Sequence, residues 1–147
     1  MVRIVRASLG KRANHGPLAF PVSVKGVVIR DERGLLLRNE RQEWELPGGK
    51  TDLGETSQEC VAREIEKETA WPVMVGPIPD SWMYHIDAVD RRVFIITYGC
   101  RTTARAPVRV SHEHKEAALV GRDKIDGLVM PEGYKHSVRA WFDHPLR

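Results

Sequence analysis

The feature that most constrains this fold is the stretch 56–69, a predicted helix that directly follows a proline and glycine run. The run 47–49, Pro-Gly-Gly, ends an extended segment, because proline fixes one dihedral angle and glycine permits positive φ. Thr56 is followed three residues later by Glu59, which is typical of a capping box at a helix N-terminus. The sequence therefore predicts a tight loop and then a helix that ends at about Thr69.

Two acids of this helix lie where apolar side chains are expected. At about 100° per residue, Val61, Ala62 and Ile65 define an apolar stripe. Glu68 falls inside this stripe and Glu64 falls beside it. A carboxylate is rarely buried without a cation or hydrogen-bond donors that offset its lost hydration. We therefore expect positive charge close to both acids.

The source of that positive charge is open at this point. Glu64 and Glu68 are four residues apart, so they are neighbours on one helix face and repel each other. Paired carboxylates favour a hard cation such as Mg²⁺, which is commonly held by one or two carboxylates together with substrate phosphates. The alternative is that Arg63, Lys67 or a distant arginine neutralises both acids.

The acids belong to a longer pattern over residues 49–71. This stretch resembles the Nudix box, which reads Gly, five residues, Glu, seven residues, Arg-Glu-apolar, one residue, Glu-Glu, one residue, Gly, apolar. The matching positions are Gly49, Glu55, Arg63, Glu64, Ile65, Glu68 and Trp71. Because the spacing is intact over 23 residues, the pattern is far more specific than a short motif.

The resemblance implies a fold and a reaction. It implies an α/β fold, the Nudix-type α/β/α sandwich, with a mixed β-sheet between helices. It also implies metal-dependent hydrolysis, with Mg²⁺ or Mn²⁺, of a nucleoside diphosphate linked to another moiety.

The resemblance further assigns roles within the site. Glu64 would bind metal and act as, or orient, the general base, and Glu68 would be a principal metal ligand. The Gly49 carbonyl would complete the metal site. A late acidic loop over residues 112–116 offers a distant acid, for which Glu113 is favoured over Glu116.

The rest of the box contains a supporting pair and two departures. Glu55 and Arg63 resemble the pair that braces the loop against the helix. Ala70 stands where the family has glycine, which mainly changes how easily the chain leaves the helix with positive φ. Lys67 stands where the family has the first glutamate of its pair, so metal affinity should fall.

Lys67 leaves two functions open. An outward pose of its side chain would permit residual, metal-demanding hydrolysis through Glu64, Glu68 and Glu113. The alternative is a non-hydrolytic Nudix-like module that binds a nucleotide as a sensor.

Several side chains are candidates for holding substrate. Basic residues suited to phosphates are Arg38, Arg41, Lys50 and Arg92, and aromatic residues suited to stacking on a base are Trp44, Trp82 and Tyr84. Among them we favour Arg38, Trp44, Tyr84 and Arg92. The sequence does not name the leaving group.

Apolar and β-branched runs outline the remaining elements. Strands are predicted at residues 22–29, 35–37, 44–46, 73–75, 82–86, 92–101 and 108–110. Pro131 begins a final helical pattern with apolar residues at spacings of three and four. This order indicates a mixed sheet between helices.

Length and composition bound the class of protein. At 147 residues we expect one domain over residues 1–147, in which residues 1–20 form an N-terminal strand or arm and a loop. No apolar run approaches the roughly 18 residues of a membrane span, and residues 1–10 alternate apolar and basic residues without a continuous apolar run, so we do not expect secretion. We expect a cytoplasmic protein with no membrane partner, in which Cys60 and Cys100 are plain thiols.

The net charge of +3 and pI of about 9.0 suit a phosphorylated ligand. The basic residues are spread along the chain, so nucleic-acid binding is disfavoured. A homodimer is possible.

Overall fold

A computed structural model describes residues 18–147 and shows one mixed β-sheet between two helices. The elements are β1 (Val22–Arg30), β2 (Arg33–Arg38), β3 (Trp44–Glu45), β4 (Gly48–Gly49), α1 (Ser57–Thr69), β5 (Met74–Val75), β6 (Asp80–Ile86), β7 (Arg91–Arg101), β8 (Glu116–Gly121) and α2 (Glu132–Phe142). Short 3-10 turns cover Asp87–Val89 and Arg122–Gly127. Most of the predicted N-terminal arm, residues 1–17, lies outside the described residues.

The centre of the sheet is the parallel pair β1 and β7. These strands are in register from Val22 opposite Phe94 to Val28 opposite Cys100. On the outer side of β7 lie β5 and β6, both antiparallel to it. On the other side, β1 pairs antiparallel with β2 and β4, and β2 in turn carries β3 and β8. One parallel pair among antiparallel neighbours makes the sheet mixed, as predicted.

Alternating side chains of the sheet supply a core on each face. Val24 and Val28 of β1 pack with Val61 and Ile65 of α1. Val27 points the other way and belongs to the core beneath α2. This alternation follows from the two-residue period of a β-strand. The predicted sandwich of helix, sheet and helix is therefore confirmed.

The predicted strand at residues 108–110 is wrong. The N–H groups of Arg109 and Ser111 instead donate to the carbonyls of Thr69 and Glu68, at 3.1 and 3.2 Å. These carbonyls lie at the end of α1, where the last turn lacks partners within the helix. The segment therefore caps α1 and does not join the sheet, whereas the strand of this region is β8, which the sequence analysis did not predict.

Two smaller predictions concern the cysteines and membrane spans. Cys60 and Cys100 are buried free thiols, as predicted. Across residues 18–147 no helix combines the length and the apolar character that a membrane crossing needs.

Candidate active site

The helix that carries the paired acids begins and ends as the sequence predicted. Thr56 is its N-cap, and the Thr56 hydroxyl accepts a hydrogen bond from the Glu59 N–H at 3.1 Å. At the other end, Ala70 adopts a left-handed conformation with φ of 61°. This is the conformation for which the family pattern has glycine.

Both acids of the predicted pair point into the protein. Glu64 is 9% exposed and Glu68 is 2% exposed. Oε2 of Glu68 is buried and has no hydrogen-bond partner among the described residues. Burial raises the pKa of Glu68 to about 7, although the positive charges of Lys25 and His114 oppose the rise, and Glu64 adds to it. Such an oxygen needs either a proton or a cation.

The backbone of β4 lies directly against Glu64. A Cβ atom on Gly49 would lie 2.9 Å from Cδ of Glu64, so only glycine permits this approach. Gly48 has φ of +148°, and its Cβ would lie 2.0 Å from the Val24 carbonyl oxygen. The Ser23 hydroxyl donates a long hydrogen bond of 3.5 Å to the Gly49 carbonyl. The two glycines thus bring the backbone of β4 close to Glu64.

Glu55 and Arg63 form a two-pronged ion pair between the loop and α1. Nε of Arg63 lies 2.6 Å from Oε2 of Glu55, and Nη2 lies 3.0 Å from Oε1. These hydrogen bonds lower the pKa of Glu55 to about 2. Nη1 of the same arginine donates to Oε1 of Glu64 at 2.7 Å. Arg63 therefore orients Glu64 and links it to the loop.

Lys67 points away from the buried acids. Its side chain is 50% exposed, and its ammonium lies 3.5 Å from Oε1 of Glu113. Of the two late acids, Glu113 is thus paired with Lys67, and Glu116 is paired with Arg38 at 3.0 Å. Within residues 18–147, no three His, Cys, Asp or Glu side chains are grouped so that they could hold a metal ion alone.

The donor set nevertheless fits a magnesium-like ion. Mg²⁺ is commonly held by one or two carboxylates and completes its shell with water and substrate phosphates. Glu68 offers an unpartnered carboxylate oxygen, and Glu64 lies on the same helix face. A carboxylate pair without a third acidic ligand matches this mode of binding.

A cavity of about 180 Å³ opens on the α2 face of the sheet, next to β4. Its walls include Lys25, Arg41, Glu45, Lys50, Tyr84 and Arg91. Of the predicted substrate-binding residues, it contains Tyr84. Arg38, Trp44 and Arg92 lie outside its lining, where the Arg38 guanidinium is 5.8 Å from the Trp44 ring centre. Their contact with substrate stays a prediction.

Two further residues near the acids, Lys25 and His114, had no predicted role. Lys25 lies within β1 and is 9% exposed. His114 approaches from the late loop, and its Nε2 lies 2.9 Å from Oε1 of Glu45. That hydrogen bond raises the pKa of His114, although burial opposes the rise. The sequence could have indicated a role for Lys25. It is a single lysine in a β-branched run, and it lies on the same strand face as the core residue Val27, two residues further on.

Comparison with known proteins gives a consistent family assignment. A model of the NUDIX domain family matches residues 19–142. A MutT-like protein of Streptomyces ambofaciens is 46% identical over 111 residues, which are 74% of this chain and 69% of that protein. An ADP-ribose pyrophosphatase of Methanocaldococcus jannaschii is 38% identical over 52 residues, only 33% of this chain and 31% of that protein. The crystal structure of a MutT protein from Methanosarcina mazei Go1 superposes with a TM-score of 0.73 at 27% identity, covering 86% of this chain and 96% of that one.

Proposed function

Because the chain belongs to the NUDIX domain family, we propose that it is a metal-dependent pyrophosphohydrolase that cleaves nucleoside diphosphates linked to another moiety. The observation that carries this proposal is the unpartnered, buried oxygen of Glu68 beside Glu64. Without a cation at this position, the Glu68 oxygen would stay buried without a partner, whereas Glu64 is already paired with Arg63. Binding of a catalytic cation would explain why the Glu68 carboxylate is buried.

In this proposal Glu64, Glu68 and the Gly49 carbonyl hold Mg²⁺ or Mn²⁺. Glu113 is the fourth candidate ligand, and it must leave Lys67 to take part. The ion supplies positive charge that offsets the developing charge on the pyrophosphate. Most of the catalysis comes from holding the phosphates and the attacking water in line.

Other parts of the proposed mechanism are the orientation of the general base and the contact with substrate. Arg63 holds Oε1 of Glu64, so Oε2 is the oxygen that would face the metal site, where Glu64 would act as, or orient, the general base for the attacking water. Glu55 fixes Arg63 and thereby the direction of Glu64. Tyr84 offers an aromatic surface in the cavity beside β4. Arg38, Trp44 and Arg92 are further candidates for substrate contact.

The experiment is a product assay with a panel of nucleotides. Nucleoside triphosphates, oxidised nucleotides, ADP-ribose and dinucleoside polyphosphates are incubated with Mg²⁺ or Mn²⁺. ADP-ribose is tested first, because one relative is described as an ADP-ribose pyrophosphatase. We expect metal-dependent release of nucleoside monophosphate or phosphate by the native chain and by Glu66→Gln, whose side chain is exposed on the same helix. Glu68→Gln should be inactive, and equal turnover by Glu68→Gln would refute the proposal.

One observation favours a second candidate, a nucleotide-binding module without hydrolysis. Lys67 replaces a family acid and pairs with Glu113. Neither position 67 nor Glu113 therefore offers a free carboxylate beside Glu64 and Glu68. Nucleotide binding that persists without metal, together with no turnover of the panel, would favour the module. Binding that is lost without metal would favour the enzyme.

Two further expectations complete the proposal. We expect the protein to be cytoplasmic, and light scattering at several concentrations would test whether it is a monomer or a homodimer. The substrate is a small molecule, and nucleic acid stays a disfavoured partner.

A further inference from the structure

Lys25 is a buried lysine that the proposed reaction does not yet use. It is 9% exposed, and its ammonium lies 5.9 Å from the centre of the Tyr134 ring. Among residues 18–147 this ammonium makes no hydrogen bond and no salt bridge. Lys135 is a useful contrast at 5% exposure, because it donates to the Asp126 carbonyl at 2.8 Å and lies 3.4 Å from Glu132. The ammonium of Lys25 therefore has hydrogen-bond donors that no described residue accepts, and these donors are available to a ligand.

The partner of Lys25 is expected in the cavity that it lines. Arg41, Lys50 and Arg91 line the same cavity, and the acid that accompanies them is Glu45. Glu45 is already engaged, since it accepts hydrogen bonds from Asn39 at 3.1 Å and from His114 at 2.9 Å. Excess positive charge in a concave site attracts and concentrates anions. The cavity therefore fits an anionic ligand.

The size of the cavity limits which anionic ligands fit inside it. Its volume of about 180 Å³ is below the range of about 300–1,000 Å³ that is usual for a whole drug-sized ligand. A phosphate or a pyrophosphate group fits this space, whereas a complete nucleotide must extend out of it. The ammonium of Lys25 would then contact the phosphate group inside the cavity.

We propose that Lys25 is a phosphate-binding residue, whose ammonium pairs with a phosphate or pyrophosphate group inside the cavity between β1 and Tyr134. This inference rests on the proposed function in one respect, because it takes the phosphate to be part of the substrate. It is separable from catalysis, because binding at Lys25 requires neither the metal nor the acids of α1.

The test measures binding of inorganic pyrophosphate by calorimetry in the presence of EDTA, so that no turnover takes place. The variants are Lys25→Met, which keeps a long apolar side chain without charge, and Lys124→Met, an exposed lysine outside the cavity lining. We expect Lys25→Met to bind pyrophosphate about tenfold more weakly or worse, the usual effect of losing a charged hydrogen bond. Lys124→Met should bind as the native chain does. Equal affinity in Lys25→Met and the native chain, or no binding by the native chain, would overturn the proposal.

A second measurement applies if Lys25→Met fails to fold. The native chain is treated with acetic anhydride, and mass spectrometry follows acetylation of Lys25 and Lys124. Pyrophosphate should slow the acetylation of Lys25 and leave that of Lys124 unchanged. Equal acetylation of Lys25 with and without pyrophosphate would contradict the proposal.

The outcomes separate this inference from the proposed function. If pyrophosphate binds through Lys25 but no nucleotide is hydrolysed, the hydrolase proposal fails and the phosphate site stands. If nucleotides are hydrolysed but Lys25→Met keeps its affinity for pyrophosphate, the phosphate site fails and the hydrolase stands. Glu68→Gln should bind pyrophosphate at least as tightly as the native chain, because it removes a negative charge.

Discussion

Single side chains decide whether this fold can hold a cation. Glu68 is buried with one unpartnered oxygen, and Glu64 is held in place through Arg63. Lys67, the departure from the family pattern, does not turn toward them, because its side chain is half exposed and pairs with Glu113. We therefore predict that the lysine influences the site from outside, through its charge and through Glu113.

Replacement of Lys67 tests this effect. We expect Lys67→Glu to lower the Mg²⁺ concentration needed for half-maximal hydrolysis by about two- to fivefold, because exposed charges contribute about 0.2–1 kcal/mol. The measurement is an activity titration with Mg²⁺. Lys124→Glu makes the same change of charge at an exposed position outside the cavity lining and serves as the control. An unchanged Mg²⁺ requirement in Lys67→Glu would show that position 67 does not influence the metal.

The ion pair of Glu55 and Arg63 gives a prediction about pH. The pKa of Glu55 is lowered from 4.5 to about 2 in the folded chain, so its carboxylate form is stabilised by folding. This contribution is complete above the unfolded pKa of 4.5 and is lost as the pH falls toward about 2. Urea unfolding at pH 7, 5 and 3 should show native and Glu55→Gln stabilities that differ by nearly the same amount at pH 7 and 5 and by clearly less at pH 3. A difference that grows toward pH 3 would contradict the assignment.

At the scale of elements, the C-terminus of α1 retains strain. Ala70 has φ of 61°, a conformation that costs an L-residue with a side chain about 1 kcal/mol more than glycine. We expect Ala70→Gly to raise the free energy of unfolding by about 1 kcal/mol. Glu66→Gly, an exposed position inside the same helix, should lower it by about 1 kcal/mol. Denaturant unfolding measures both, and a destabilised Ala70→Gly would argue against the left-handed cap.

Local patterns predicted the elements whose ends are set by local chemistry. The limits of α1 follow from the capping box and from the end of the apolar stripe, and Pro131 marks the start of α2. The strand β8 was missed because it depends on a distant partner, since Glu116–Gly121 pairs with β2. Residues 108–110 have strand-like composition, but the free carbonyls of α1 take their N–H groups. Both errors, the missed strand β8 and the wrong strand at residues 108–110, therefore arose because the hydrogen-bond partners are distant in sequence.

The same reason explains which parts of the site could be predicted. Glu64, Glu68, Glu55 and Arg63 lie within one helix and its preceding loop, so their spacing alone brings them together. Lys25 and His114 reach this region only through the sheet and the late loop. Sequence spacing does not show that residues from such distant segments come together in the fold.

At the scale of the whole molecule, the two cores share the strands between them. Leu35 and Leu36 are neighbours on β2, both fully buried, and they face opposite sides of the sheet. We expect Leu35→Ala and Leu36→Ala each to lower the free energy of unfolding by about 2–5 kcal/mol. Each variant should still unfold in a single transition, which would support the prediction of one domain over residues 1–147. Two separate transitions in either variant would contradict it.

The most direct test of the proposed hydrolase is Mn²⁺ binding, followed by the loss of the free-ion signal in electron paramagnetic resonance. The native chain and Glu66→Gln should bind one Mn²⁺ with equal affinity, because Glu66 is exposed on the opposite flank of α1. Glu68→Gln should lose most of this affinity, since it removes the unpartnered carboxylate. Equal Mn²⁺ binding in all three proteins, or no binding in the native chain, would contradict a metal-dependent site at Glu64 and Glu68.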